Sequence, residues 1–251
     1  CDQGGPGGSP RIFLVFRGTF SPHDVLRDLL VTPERHADAR FHGGFLAGVQ
    51  EDPRVHTLLT KALETEKPAE LFIMGHSLGG SLALTFVAAG FVPKQYRGAV
   101  TAVAIGSPAI LYTPDRDGDA AEGKTNGSLG FGESVPAKPA RAVHCPAGAA
   151  RARMLVFVNR ADAVPRLLGS PLPLFGGLFR SALSKERQSG SKHKALATLE
   201  SYSHIPHTEV VWLNSEGHAV AVPTDQRDAV LHLHEAISLD LRRTILNDHG
   251  G

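Results

Sequence analysis

The run Gly75-His76-Ser77-Leu78-Gly79-Gly80 carries the pattern of a serine set up for acyl transfer, a hydroxyl flanked by glycines two residues before and two residues after it. Such a serine attacks an ester carbonyl only when a base takes its proton and hydrogen-bond donors receive the developing oxyanion. The pattern also demands a setting. The apolar run Leu71 to Met74 reads as a buried strand, and the small-residue run Leu78 to Ala89 reads as a helix packed tightly on a sheet, which together are the context of a nucleophile elbow. The chain turns so sharply there that Gly75 and Gly79 must be nearly without side chains. Ser77 would stand at the carboxyl end of its strand, with the helix N-terminus behind it. That N-terminus would offer backbone N–H groups and a positive dipole end to an oxyanion.

The elements that would position this serine follow from the same chain. Ile12 to Phe16, Val100 to Ile105, Met154 to Val158 and Val210 to Leu213 are short apolar runs of the buried-strand kind. Asp52 reads as an N-cap with Pro53 at the first helical position; Val55, Leu58, Leu59, Ala62 and Leu63 form the apolar face, and Lys67 and Pro68 close the helix. Strands that are apolar throughout and alternate with helices predict an α/β fold, with a mostly parallel central sheet covered by helices on both faces. From 113 to 152 the pattern dissolves into Gly, Ala, Pro, Ser and charged residues, so that stretch is expected to be an exposed or disordered insertion in one domain spanning 1–251. Asp115 to Asp119 hints at a calcium loop, but Ala120 and Asn126 stand where that loop needs Gly and Glu.

Composition narrows the function classes. With 26 Lys plus Arg against 25 Asp plus Glu in 251 residues and no basic block, a nucleic-acid partner is not expected. Two cysteines, Cys1 and Cys145, build neither a disulfide framework nor a CxxC metal or redox site. A His232-x-His234 metal pair has no evident third ligand, so no metal site is expected. The longest mostly apolar stretch, Leu82 to Val92, is far short of the ~20 residues of a membrane span. No signal-peptide pattern is legible either. The chain reads as the middle of a longer polypeptide, incomplete at the N-terminus, and assigns no compartment.

Five strings in register carry a resemblance. FRGTFSPHDVLRDL (16–29), FHGGF (41–45), GHSLGGSLA (75–83), IGSP (105–108) and NRADAVPRL (159–167) occur in the order seen in class 3 lipases, the fungal-type lipases of the α/β-hydrolase superfamily. The wording after RGT resembles their diacylglycerol-lipase-like branch. The resemblance implies Ser77 as nucleophile, Asp162 as the acid that orients a histidine, and Thr19 with the Leu78 N–H as oxyanion donors. The base must follow the acid in this superfamily, and among the histidines that do, His249, His234 and His232 are the serious candidates. His249 follows Ile245-Leu246-Asn247-Asp248, resembling the family's ending, and is preferred. His232 and His234 alternate with Leu231 and Leu233 as on a half-exposed strand. His76 would point away from the reactive face, and His42 and His204 fall in strings where they look structural.

Phe20 to Leu30 occupies the family's lid position, and Leu167 to Leu183 is apolar but broken by Pro and Gly. Both could meet lipid. The implied activity is hydrolysis of diacylglycerol or triacylglycerol at a lipid interface without metal or organic cofactor. A phospholipase A1, a small-ester esterase and an inactive lipase-like scaffold are the alternatives.

Overall fold

The computed structural model describes residues 2–3, 10–18, 32–51, 53–113, 145–159, 162, 164–166, 202–213, 218–224 and 231. In chain order the elements are β1 (Asp2–Gln3), β2 (Pro10–Phe16), β3 (Pro33–His36), β4 (Ala39–His42), α1 (Gly43–Gln50), α2 (Pro53–Glu66), β5 (Glu70–His76), α3 (Leu78–Ala88), β6 (Ala99–Ile105), β7 (Leu111–Tyr112), β8 (Arg153–Asn159), β9 (Tyr202–Ser203), β10 (Glu209–Leu213) and β11 (Ala219–Val222). Short 3-10 turns occupy Ala149–Arg151 and Val164–Arg166.

The five strands expected from apolar runs form the centre of a seven-stranded sheet, in the order β1-β2-β5-β6-β8-β10-β11. From β2 to β10 every pairing is parallel, and β1 and β11 add antiparallel edges. Phe16 stands opposite Gly75, Gly75 opposite Ala104, and Ala104 opposite Val156. The carboxyl ends of four strands therefore lie along one rim. Buried side chains line the centre of one face of the sheet: Ile12, Leu71, Ile73, Ala102, Ala104, Met154, Val156, Val158 and Val210. Each buried Val, Leu, Ile or Met side chain among them contributes about 1.5–3 kcal/mol.

Nine of the eleven residues of α3 are buried. A helix buried nearly all round has no polar stripe, which is why its sequence is small and aliphatic throughout. The side of α1 packs against it, with Gly48 facing Leu82. α2 begins at Pro53 and ends where Lys67 turns left-handed at φ 44° and bonds back to the Leu63 carbonyl at 3.1 Å. Its buried side is Leu59 and Leu63. Leu58, expected on that apolar face, is 66% exposed, because each helical residue turns about 100° from its neighbour and Leu59 takes the inward position.

A second, four-stranded antiparallel sheet, ordered β3-β4-β7-β9, was not legible in the sequence. Its pairings join Phe41 to Leu111 and Leu111 to Ser203. Two-residue strands hold no period to read, and their partners lie far apart in the chain. Leu231, expected on a half-exposed strand, is helical and buried in the core. At the end of the low-aliphatic stretch, Gly148 lies against the Val87 and Ala88 carbonyls and Ala149 is buried. Outside the described residues lie Thr19, the 20–30 and 167–183 segments, Asp52, residues 114–144, and His232, His234 and His249.

Candidate active site

Ser77 occupies the single residue between β5 and α3, at φ 56° and ψ −126°. A non-glycine residue held there costs roughly 1–3 kcal/mol and persists only when its surroundings enforce it. The enforcement is visible. The Ser77 N–H donates to the Ile105 carbonyl at 2.8 Å, and the Ser77 carbonyl accepts from the N–H groups of Gly80 and Ser81 at 3.0 and 3.3 Å. Its side chain makes no capping bond to α3. The N–H groups of Leu78 and Gly79 belong to the first helical turn, where no carbonyl of the helix precedes them to accept. α3 also has no acidic residue in that turn, so the positive end of its dipole is not offset by its own side chains.

The glycines work by close approach. A Cβ on Gly75 would strike the backbone of Gly79 and Gly80, and one on Gly79 would strike the backbone of Phe16, Arg17 and Gly18. Gly80, a third such position, would bring a Cβ to 2.8 Å from the Ser107 Cβ. The loop after β2 thus rests directly on the elbow. A Cβ on Gly18, the residue before Thr19, would sit 2.5 Å from the His76 carbonyl oxygen and 3.7 Å from the Ser77 Cβ. On the other side, the Ser81 hydroxyl donates to the Pro108 carbonyl at 3.0 Å, tying α3 to the IGSP loop after β6. That tie was not read from the sequence; the only signal for it was the serine directly after the double glycine.

Asp162 lies three residues beyond β8 and is 2% exposed. Its N–H donates to the Asn159 carbonyl at 2.7 Å, and its Oδ1 accepts from the Val164 N–H at 2.9 Å. The carboxylate is thereby oriented by its own turn. β5 and β8 flank β6, so Ser77 and Asp162 follow strand ends about 10 Å apart at a spacing of ~4.8 Å per strand. The resemblance implies a histidine between the hydroxyl and the carboxylate. The three histidines considered for it, like Thr19, lie outside the described residues.

Of the remaining histidines of the motifs, His42 and His204 are held by packing. His76 is exposed at the end of β5. His42 is fully buried, its ring stacked on Phe45 at 4.0 Å. His204 is 7% exposed, and its Nε2 donates to the Pro165 carbonyl at 2.9 Å.

A family model described as Lipase (class 3) matches residues 13–171, well over half of the chain. Several solved structures share the fold. A lipase of Rhizomucor miehei in its propeptide complex is 16% identical, with a TM-score of 0.52 over 86% of this chain and 52% of that one. A triacylglycerol lipase whose catalytic centre is a serine protease triad is 17% identical, with a TM-score of 0.56 over 95% and 69% of the two chains. For a triacylglycerol lipase of Penicillium expansum the values are 15% and 0.51, over 86% and 66%. This chain spans about half the length of the Rhizomucor miehei chain it matches. No curated protein sequence matches it significantly.

Proposed function

This chain belongs to the class 3 lipase family and carries the α/β-hydrolase fold, and on that premise we propose that it is a serine ester hydrolase acting on acylglycerol at a lipid surface. The observation that carries the reading is Ser77 itself, held at φ 56° on the turn between β5 and α3 with the Leu78 N–H beside it. Here a strained backbone places a buried serine at the N-terminus of α3. The buried, oriented Asp162 on the same rim supports the second role.

In the proposed cycle the Ser77 Oγ attacks the ester carbonyl while its proton passes to His249, and the N–H groups of Thr19 and Leu78 hold the oxyanion. The tetrahedral species collapses, the glyceride oxygen leaves with the proton from His249, and an acyl-enzyme remains on Ser77. Water, deprotonated by the same histidine, then releases the fatty acid and restores the serine. Asp162 keeps the imidazole in the correct tautomer and stabilises its cation. Diacylglycerol is the preferred substrate, because the wording after RGT is similar to that branch of the family; triacylglycerol follows, then a phospholipid sn-1 ester. The 1–251 span acts as one hydrolase domain.

The experiment is activity-based labelling with a fluorophosphonate, combined with turnover of emulsified diacylglycerol, triacylglycerol and phospholipid and of a monomeric short-chain ester. Ser77→Ala is expected to abolish labelling and to lower kcat by about 10⁶-fold. A folded protein that takes no label would be a lipase-like scaffold, and equal rates on monomers and emulsion would make it an esterase.

A further inference from the structure

The bonds inside the Asp162 turn orient the carboxylate within its own loop. They leave the position of that loop to be set from elsewhere. Its next segment, Val164–Arg166, is a single 3-10 turn, and Pro165 at its centre has no N–H to give. Among the described residues, a contact from outside comes from far along the chain: the His204 Nε2 donates to the Pro165 carbonyl at 2.9 Å, both residues being buried. His204 directly follows β9, whose Tyr202 and Ser203 pair with Tyr112 and Leu111 of β7. β7 pairs in turn with Phe41 of β4, and the Tyr202 ring meets Tyr112 edge-on at 5.5 Å. One side-chain hydrogen bond therefore ties a turn leaving the central sheet to the small antiparallel sheet. The Val164 N–H that holds the Asp162 carboxylate is adjacent to the carbonyl that His204 holds.

We propose that His204 is a positioning residue of the hydrolytic centre: through Pro165 it fixes the Val164–Arg166 turn, and with it the angle at which Asp162 meets the base. The proposal rests on the reading of Asp162 as the triad acid. His204 serves by donating from Nε2 and transfers no proton. Its value to the reaction lies in geometry, where a displacement of about 1 Å can cost on the order of 10²-fold in rate.

The test measures kcat and KM of the full chain on a soluble short-chain ester for His204→Leu, His204→Asn and His204→Gln, with thermal unfolding recorded alongside. Gln carries an amide N–H at about the reach of Nε2, Asn falls short of it, and Leu donates nothing. Leu and Asn are expected to lower kcat about 10- to 100-fold with little change in KM, and Gln to restore it to within about 3-fold. In an Asp162→Asn background the step from His204 to Leu should cost less than about 2-fold, since no carboxylate remains to be held. Wild-type kcat in His204→Leu would overturn the proposal, as would a Gln variant no better than Leu, or an undiminished loss in the Asp162→Asn background. If the Leu variant does not fold, the Asn and Gln pair decides by the same comparison. Wild-type turnover in Asp162→Asn alone would instead sink the acid assignment, so the two failures are distinguishable.

Discussion

Replacing Gly79 by Ala tests how the elbow and the loop after β2 depend on each other. The new methyl would lie 2.9 Å from the Arg17 carbonyl carbon and the Gly18 nitrogen, and closer still to the Phe16 oxygen. All three are backbone atoms, so no rotamer change makes room. Ordinary contact begins at 3.4 Å, so the 16–18 backbone must retreat by about 0.5 Å at Arg17 and Gly18 and by roughly 1 Å at the Phe16 oxygen. Overpacking of that kind costs about 1–3 kcal/mol, a fall in Tm of roughly 2–12 °C for a domain of this size. The retreat also moves Gly18 away from Ser77 and takes the proposed Thr19 donor with it. Because that donor acts on the transition state, kcat should drop on the order of 10-fold or more while KM stays nearly constant. Gly48→Ala is the matched control. There the methyl meets only the Leu82 Cδ2 tip at 3.0 Å, which can rotate aside, and a helical Gly→Ala exchange gains about 0.5–1 kcal/mol. The assay is short-chain ester turnover with calorimetric melting on both variants. A Gly79→Ala protein that melts and turns over like the wild type would refute the close-approach argument.

Asp162→Asn keeps an oxygen for the Val164 N–H and should melt near wild type, yet lose about 10⁴-fold in kcat; Asp162→Ala should lose the cap as well, at about 1 kcal/mol. An active Asn variant would remove Asp162 from the mechanism. Glu209 is held below the usual carboxylate range by its hydrogen bond to the Arg153 guanidinium at 2.8 Å, then by that charge. A depressed carboxylate stabilises the fold above its ordinary titration range and ceases to as pH falls through the lowered value. The Tm advantage of wild type over Glu209→Gln should therefore be present at pH 7, vanish in acid, and shrink with salt because the pair is exposed. Burial, and secondly the Asp38 carboxylate, push the Cys145 thiol up. Iodoacetamide should label it more slowly in the native protein at pH 7.5 than after unfolding in urea, as read by peptide mass; equal rates would contradict the burial.

Local chemistry made the elbow legible. Gly75, Ser77 and Gly79 interact within five residues, and the strand before them and helix after them are read from hydrophobicity alone, so the sequence by itself determined the parallel α/β core and its serine. The proposed acid was named only through resemblance, since an aspartate in a loop has no period to distinguish it from a cap. Asp162 proved to be buried and capping its own turn at once. Tertiary structure alone decided the rest. Leu58 faces outward because the sheet selects one side of α2, and the second sheet exists because Phe41, Leu111 and Ser203, distant in the chain, share one ladder. The His204 bond to Pro165 spans 39 residues. Contacts of that range leave no mark on local spacing, because they depend on where the whole chain has already placed its strands.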